Sequence, residues 1–129
     1  MESVSKSKGK ILVTGASGYI AGHIIIQLLK RGYQVRGTIR SLSDTLKYQY
    51  IIDLKEKYPQ YEDKIELVEA DLLKPEGWAA AVSGCPQVMH VASPFILKRP
   101  KDESEIISPA VDGTLNVLKG CAENGVKKV

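Results

Sequence analysis

Glycines spaced three residues apart stand between an apolar, β-branched run and an amphipathic stretch near the start of the chain. The run is residues 10–14, Lys-Ile-Leu-Val-Thr, and the turn that follows holds Gly15, Gly18 and the small residue Ala21. Such a run suits a buried parallel strand, and the amphipathic stretch from Gly18 onward suits a helix. Gly15 permits a tight turn, and Ala21 lets the helix pack close to the strand. The arrangement therefore predicts a strand–turn–helix unit.

Strand-like and helix-like stretches alternate along the rest of the chain. The apolar patterns predict strands at 10–14, 33–39, 65–69 and 87–91, and helices at 18–31, 44–58, 75–82 and 105–122. This alternation predicts an α/β fold, a Rossmann-type doubly wound parallel sheet with helices on both faces. Residues 125–129 resemble the entry to a fifth strand, so we expect a fragment that is truncated before it. The predicted domains are a flexible N-terminal tail, 1–9, and an incomplete Rossmann domain, 10–129.

Apolar periodicity also predicts which side of each helix faces the sheet. On the second helix the predicted inward residues are Leu46, Tyr50, Ile51, Leu54 and Tyr58. On the last helix they are Ile107, Val111, Thr114, Leu118 and Cys121. We expect Pro75 in the first turn of the third helix, and Pro109 either as a bend in the last helix or as its true start.

The charge balance and the cysteines narrow the class of protein. The 18 basic and 15 acidic residues give a net charge of +3 without a basic stripe, which disfavours a nucleic-acid partner. No apolar stretch approaches the roughly 18 residues of a membrane span, and the opening residues carry no hydrophobic signal segment, so we expect no membrane partner. Cys85 and Cys121 stand far apart without a CxxC or a histidine cluster. This predicts reduced thiols, a cytoplasmic location and no metal site.

The glycine turn carries the clearest chemical signal. At the start of a helix, unpaired backbone N–H groups and the positive end of the helix dipole favour bound anions. Gly18 lets a pyrophosphate approach the backbone. A glycine-rich turn without a ligand is the alternative, but the strand before it and the helix after it favour a dinucleotide.

Residues 13–21, Val-Thr-Gly-Ala-Ser-Gly-Tyr-Ile-Ala, resemble the nucleotide-binding turn of the extended short-chain dehydrogenase/reductase superfamily. Residues 34–41, 69–73, 89–95 and 109–118 narrow the resemblance to the dihydroflavonol reductase/cinnamoyl-CoA reductase-like family, and the match extends from Lys10 to Val129. The resemblance implies cofactor contacts from the turn at Gly15, Ser17, Gly18, Tyr19, Ile20 and Ala21. After the fourth strand it implies contacts from the small or apolar residues Val91, Ala92 and Ser93.

The end of the second strand discriminates between the two nicotinamide cofactors. An NAD-binding fold of this kind places a carboxylate about 20 residues after the glycines, where it accepts hydrogen bonds from the ribose. Here that zone reads Thr-Ile-Arg-Ser at 38–41, with no carboxylate before Asp44. Arg40 can instead bind a 2′-phosphate, which predicts NADP(H). The resemblance implies Lys47 as a second phosphate contact, and the alternative for both cations is a solvated surface charge.

After the third strand the resemblance implies adenine contacts from Asp71 and Leu72. Asp71 can accept from the adenine amino group, or it can serve as a turn or helix-capping residue. We interpret His90 as a structural strand histidine rather than an acid–base group.

Catalysis in the resembled superfamily uses a Ser, a Tyr and a Lys, the last two spaced Tyr-x-x-x-Lys. None of the six tyrosines in this chain has a lysine four residues later, so no catalytic residue is predicted. The leading hypothesis is the NADP(H)-binding portion of an NADPH-dependent reductase of a small-molecule ketone or aldehyde, inactive by itself and able to form a homodimer. An NAD-dependent epimerase or hydroxysteroid dehydrogenase, which Arg40 disfavours, and a non-catalytic NADP-binding regulator stay open.

Overall fold

A parallel sheet of four strands forms the centre of the computed structural model, which describes residues 8–94 and 101–129. The strands are β1 (Lys10–Val13), β2 (Gln34–Ile39), β3 (Ile65–Glu69) and β4 (Gln87–Met89), in the spatial order β3-β2-β1-β4. In the parallel register, Ile11 of β1 lies opposite Val35 of β2 and Gln87 of β4. The predicted α/β fold with a Rossmann-type doubly wound sheet is confirmed.

Helices cover both faces of this sheet. On one face α1 (Tyr19–Lys30) and α2 (Gln49–Lys57) enclose a core with the branched residues Ile11, Val13, Val35, Ile39 and Ile65 of the strands. On the other face α3 (Trp78–Val82) and α4 (Ser104–Glu123) enclose a second core around Leu12 and Val88. Strands that carry apolar residues on both sides are typical of a parallel sheet buried between two helical layers.

The prediction of the second helix is wrong in its first turn. Residues Thr45–Tyr48 form a 3₁₀ turn, and α2 starts only at Gln49. A 3₁₀ turn advances about 120° per residue against about 100° in an α-helix, so the inward face shifts. Tyr48 is buried as a result, whereas Leu46 and Tyr50, which were predicted to face inward, are 83% and 50% exposed. The other predicted inward residues pack in the core: Ile51, Leu54 and Tyr58.

The third and the last helix differ from the prediction at their prolines. α3 begins at Trp78, directly after Gly77, whose φ is +90°. This left-handed conformation interrupts a right-handed helix, so Pro75 lies before the helix and not in its first turn. α4 begins at Ser104, so Pro109 lies inside the helix and does not mark its start.

The predicted inward face of the last helix is wrong except at Cys121. The other predicted residues of that face are exposed: Ile107, Val111, Thr114 and Leu118. The buried face consists instead of Gly113, Val117, Gly120 and Cys121. A Cβ on Gly120 would lie 3.0 Å from the backbone carbonyl carbon of Trp78. The helix therefore approaches α3 through its glycines, which leaves the larger apolar side chains outside.

Segments at both ends of the described chain pair with the sheet region. The N–H of Lys8 donates to the carbonyl of Gly32 at 3.1 Å, while residues 1–7 of the predicted tail lie outside the described part. At the other edge the N–H of Val88 donates to the carbonyl of Lys128 at 2.9 Å, and Lys128 forms a parallel bridge with Gln87. Lys127 and Lys128 thus run beside the start of β4, where a fifth parallel strand is expected.

Three general features of the described residues bear on function. No helix within 8–94 and 101–129 is long and apolar enough to cross a membrane. The same stretches contain no group of three or more His, Cys, Asp or Glu side chains that could hold a metal ion. Cys85 and Cys121 are free and buried in the second core, and burial raises the pKa of both thiols.

Candidate nucleotide-binding site

A cleft of about 550 Å³ opens at the carboxyl ends of the strands. Open α/β sheets bind their ligands at this edge. The cleft is lined by every predicted cofactor-binding residue except Asp71, namely Gly15, Ser17, Gly18, Tyr19, Ile20, Ala21, Arg40, Lys47, Leu72, Val91, Ala92 and Ser93. The fold thus brings four separate segments of the chain to one site.

Gly15 forms the tightest part of the cleft wall. Its φ of +65° lies in the left-handed region, which disfavours any residue with a Cβ. A Cβ at this position would also lie 2.9 Å from the Cβ of Ala92, closer than van der Waals contact allows. Both the backbone conformation and the neighbouring loop therefore require glycine.

The start of α1 presents unpaired donors to the cleft. Gly18 is the N-cap, and its N–H donates to the carbonyl of Gly15 at 3.0 Å, but no side chain caps the helix. Within the described residues, the N–H groups of Tyr19, Ile20 and Ala21 have no acceptor, as is usual in a first helical turn. The first turn contains no acidic residue. An anion placed here would meet free donors and the positive end of the helix dipole.

A buried threonine at the end of β2 holds the glycine turn by hydrogen bonds. The hydroxyl of Thr38 accepts the N–H of Gly15 at 3.1 Å, and its carbonyl accepts the N–H of Ala16 at 2.9 Å. Thr38 and Thr14 are the buried polar residues of the described part of the chain. Neither threonine was predicted to have a role in the site. A hydroxyl residue at or just after the end of a buried strand is the signal that could have identified them.

Thr14 joins the glycine turn to the loop after β4. Its side-chain oxygen accepts the N–H of Val91 at 2.9 Å and the N–H of Ala92 at 3.0 Å. The same oxygen lies 2.8 Å from Nδ1 of His90. Burial lowers the pKa of His90, because it disfavours the charged imidazolium. His90 contacts Thr14 and is not among the residues that line the cleft.

Two basic side chains lie at the β2 end of the cleft. The guanidinium of Arg40 is exposed and makes no ion pair or hydrogen bond within residues 8–94 and 101–129. Lys47 is also exposed, and its Nζ lies 3.4 Å from Oδ2 of Asp44, which lines the same cleft. Among the described residues, Lys47 therefore has an acidic partner and the Arg40 guanidinium has none.

Arg36 shows how differently an arginine of the same strand can be used. Its Nη1 donates to the carbonyls of Ala81 and Ser83 at 2.7 Å and 2.6 Å, and its Nε lies 3.0 Å from Oε1 of Glu66. Arg36 thus ties the end of α3 to the sheet and does not line the cleft.

The loop after β3 forms the opposite wall of the cleft. Oδ1 of Asp71 accepts the N–H of Leu73 at 3.0 Å, which is the turn role that the sequence left open as an alternative. Leu72 lines the cleft, and its carbonyl accepts a hydrogen bond of 2.8 Å from Nδ2 of Asn116 in α4. No role was predicted for Asn116, because its partner lies 44 positions away in the chain.

Several further residues line the cleft without having been predicted. They are Thr38, Ile39, Ser41, Asp44, Tyr48, Ala70, Leu73, Pro94 and Pro109. Most of these residue types carry no chemical signal of their own. They line the cleft because they lie beside the ends of strands or on a helix that reaches the same edge of the sheet.

The chain is similar to proteins of one known family. Residues 11–129 match the family described as NAD dependent epimerase/dehydratase. The chain is 38% identical to tetraketide alpha-pyrone reductase 1 of Arabidopsis thaliana over 121 residues, which are 94% of this chain and 36% of that protein. It is 39% identical to dihydroflavonol 4-reductase of Dianthus caryophyllus over 119 residues, or 92% of this chain and 32% of that protein.

Solved structures show the same likeness. Vestitone reductase from alfalfa (Medicago sativa) matches 95% of this chain and 34% of its own with a TM-score of 0.68 and 35% identity. Yeast methylglyoxal/isovaleraldehyde reductase Gre2, solved in complex with NADPH, matches 89% of this chain and 33% of its own with a TM-score of 0.70 and 28% identity. The chain thus spans about a third of the length of the relatives it matches. The predicted resemblance to dihydroflavonol and cinnamoyl-CoA reductases is confirmed, and the chain belongs to the NAD dependent epimerase/dehydratase family.

Proposed function

We propose that the chain binds NADP(H) in this cleft and is the cofactor-binding portion of an NADPH-dependent carbonyl reductase. The observation that carries the proposal is the exposed guanidinium of Arg40 at the end of β2, where an NAD-binding fold typically has a carboxylate. A guanidinium can donate two parallel hydrogen bonds to one phosphate. It has no acidic partner among the described residues that a phosphate would need to displace.

The other walls of the cleft also fit this dinucleotide. The pyrophosphate would lie over the free N–H groups of Tyr19, Ile20 and Ala21. Leu72 offers an apolar surface to the adenine, and Ala92 a small one to the ribose. Bound NADPH supplies a hydride for the reduction of a carbonyl. The residues of this chain bind and orient the cofactor.

The relatives support a reductase. Those cited above are named as reductases, and the Gre2 structure is described as a complex with NADPH. We propose a small-molecule ketone or aldehyde as the substrate of the whole protein. This chain covers about a third of the relatives' length.

One observation favours NAD(H) as a second candidate. The carboxylate of Asp44 lines the cleft and lies beside Lys47, so it weakens the positive potential that a 2′-phosphate would meet. The family description also names NAD. Arg40 and Asp44 therefore favour different cofactors.

Titration of the protein with NADPH and NADH separates the two candidates. We expect the Kd for NADPH to be lower by at least about tenfold, which corresponds to roughly 1.4 kcal/mol of additional phosphate binding. Gly18→Val is the control, since it should weaken both cofactors alike by blocking the pyrophosphate that they share. Equal affinities, or tighter binding of NADH, would contradict the proposal.

The same protein also allows a test of catalysis. Because the chain contains no Tyr-x-x-x-Lys, we expect it to bind NADPH without oxidising it in the presence of ketones or aldehydes. Cofactor oxidation above the background rate with any carbonyl would show that another residue supplies the proton.

A further inference from the structure

We propose that Thr14 and His90 form a positioning pair, in which the imidazole of His90, protonated on Nε2 alone, holds the Thr14 hydroxyl so that it fixes Val91 and Ala92 against the glycine turn. Neither Thr14 nor His90 lines the cleft, so the pair acts through Val91 and Ala92. Its effect on cofactor affinity rests on the function proposed above, whereas its hydrogen bonds do not.

The donor and acceptor inventory fixes the direction of each bond. A hydroxyl has one proton to donate and two lone pairs with which to accept. The backbone N–H groups of Val91 and Ala92 can only donate, and both lie within 3.0 Å of the Thr14 oxygen, so they occupy its lone pairs. The remaining contact, 2.8 Å to Nδ1 of His90, must carry the hydroxyl proton. Nδ1 is then an acceptor and has no proton, which leaves the proton of the neutral ring on Nε2.

The position of Thr14 gives these bonds their consequence. Thr14 is fully buried and directly precedes Gly15, and its own N–H donates to the carbonyl of Met89 at 3.1 Å. The Thr14 hydroxyl holds Ala92, which packs closely against Gly15. A Cβ added to Gly15 would lie 2.9 Å from the Cβ of Ala92. A shift of the loop after β4 would therefore move the wall of the phosphate-binding turn.

Removal of the His90 acceptor leaves a buried hydroxyl proton without a partner. Such a group is unfavourable in the folded state, and the hydroxyl can rotate to find another acceptor only by changing its bonds to the two amides. Position 90 therefore requires a hydrogen-bond acceptor at the place of Nδ1, and it does not require an imidazole or a ring of that size.

Two substitutions of His90 separate acceptor chemistry from volume. In His90→Asn the amide oxygen can take the place of Nδ1, whereas His90→Phe fills the space without an acceptor. We expect the Kd for NADPH to stay within about threefold of the wild-type value for the Asn variant and to rise by about tenfold for the Phe variant. Thr14→Ser and Thr14→Val form the matched pair on the other side of the bond, and we expect the same order.

Two spectroscopic measurements test the pair without any cofactor. The ¹⁵N chemical shifts of the His90 ring should show Nδ1 unprotonated and Nε2 protonated, and the amides of Val91 and Ala92 should exchange slowly with solvent. A proton on Nδ1 would overturn the inference, and so would equal NADPH affinities for the Asn and Phe variants. The ring measurement uses the wild-type protein, so this test holds even if the Phe or Val variants fold poorly. If wild-type protein binds no NADPH while the ring and amide signals are as expected, the proposed function fails and the pair stands.

Discussion

The methyl group of Ala16 lies directly on Gly37, so close that a Cβ on Gly37 would come within 2.5 Å of the Cβ of Ala16. Ala16 belongs to the glycine turn and is fully buried, and Gly37 lies in the middle of β2. The turn therefore rests on the sheet at a point where the strand has no side chain. This contact, together with the bonds from Thr38, determines the height of the glycine turn above the sheet.

Gly37→Ala should lift this turn. The added methyl group overpacks a closed site, so we expect the free energy of unfolding to fall by about 1–3 kcal/mol and NADPH binding to weaken. The double variant Ala16→Gly/Gly37→Ala, which moves the methyl group from the turn to the strand, should recover much of both losses. Chemical unfolding and cofactor titration of the wild type and these two variants test this. A single variant as stable as the wild type would show that the two residues do not press on each other.

Arg40→Asp should change the cofactor preference. The substitution removes a charge-assisted contact to the 2′-phosphate and adds repulsion, while offering an acceptor to the free 2′-hydroxyl of NADH. We expect the ratio of the two dissociation constants to move toward NADH by at least about tenfold. Arg31→Asp, which makes the same change of charge on an exposed residue outside the cleft, should leave the ratio near its wild-type value. An unchanged ratio for Arg40→Asp would refute the role given to Arg40.

Lys47 and Asp44 should have smaller and opposite effects. Lys47→Ala removes an exposed point charge that solvent and salt screen, so NADPH should weaken less than in Arg40→Asp. Asp44→Asn removes a carboxylate from the cleft and frees Lys47, so NADPH should bind more tightly, with little change for NADH. Titrations at low and high salt measure both effects, which should shrink as salt rises. Weaker NADPH binding by Asp44→Asn would mean that the carboxylate orients Lys47 usefully.

The stability of the protein should fall in mildly acidic solution because of His90. Burial lowers the pKa of His90 in the folded protein, because it disfavours the charged imidazolium. The unfolded chain therefore binds a proton first, near pH 6.5. The stabilisation by the neutral ring is complete above about pH 6.5 and is lost as the pH falls from there toward the folded pKa.

Unfolding by denaturant between pH 7.5 and 5 measures this loss, and His90→Asn is the control. The Asn variant retains His23, so the difference between the two profiles belongs to His90. Parallel profiles would show that His90 is equally easy to protonate in the folded and the unfolded protein.

Local sequence signals predicted the parts of the fold that depend on neighbours in the chain. The glycine turn between β1 and α1 and the arginine at the end of β2 needed only the spacing of residues within one βαβ unit. The inward face of α4 could not be predicted in this way, because hydrophobic periodicity favours large residues such as Val111 and Leu118. The approach of Gly120 to Trp78 depends on a residue 42 positions earlier, which no helical pattern reveals.

The candidate site shows the same division. The residues of the glycine turn and Arg40, predicted from backbone geometry and charge, line the cleft, whereas Asn116 and the two buried threonines act through distant partners. Asp71 had two roles open in the sequence, and its bond to the N–H of Leu73 depends on a loop conformation that composition does not specify.

The chain contains a single tryptophan, Trp78, and its placement makes the protein its own optical probe. The indole is buried, and its Nε1 donates to the carbonyl of Asp71 at 3.0 Å, in the loop whose next residue, Leu72, lines the cleft. Because indole emission responds to polarity and hydrogen bonding, any movement of this loop on ligand entry should shift the fluorescence of one residue. The fluorescence of an unlabelled sample thus reports both on the Leu72 side of the cleft and on unfolding of the second core.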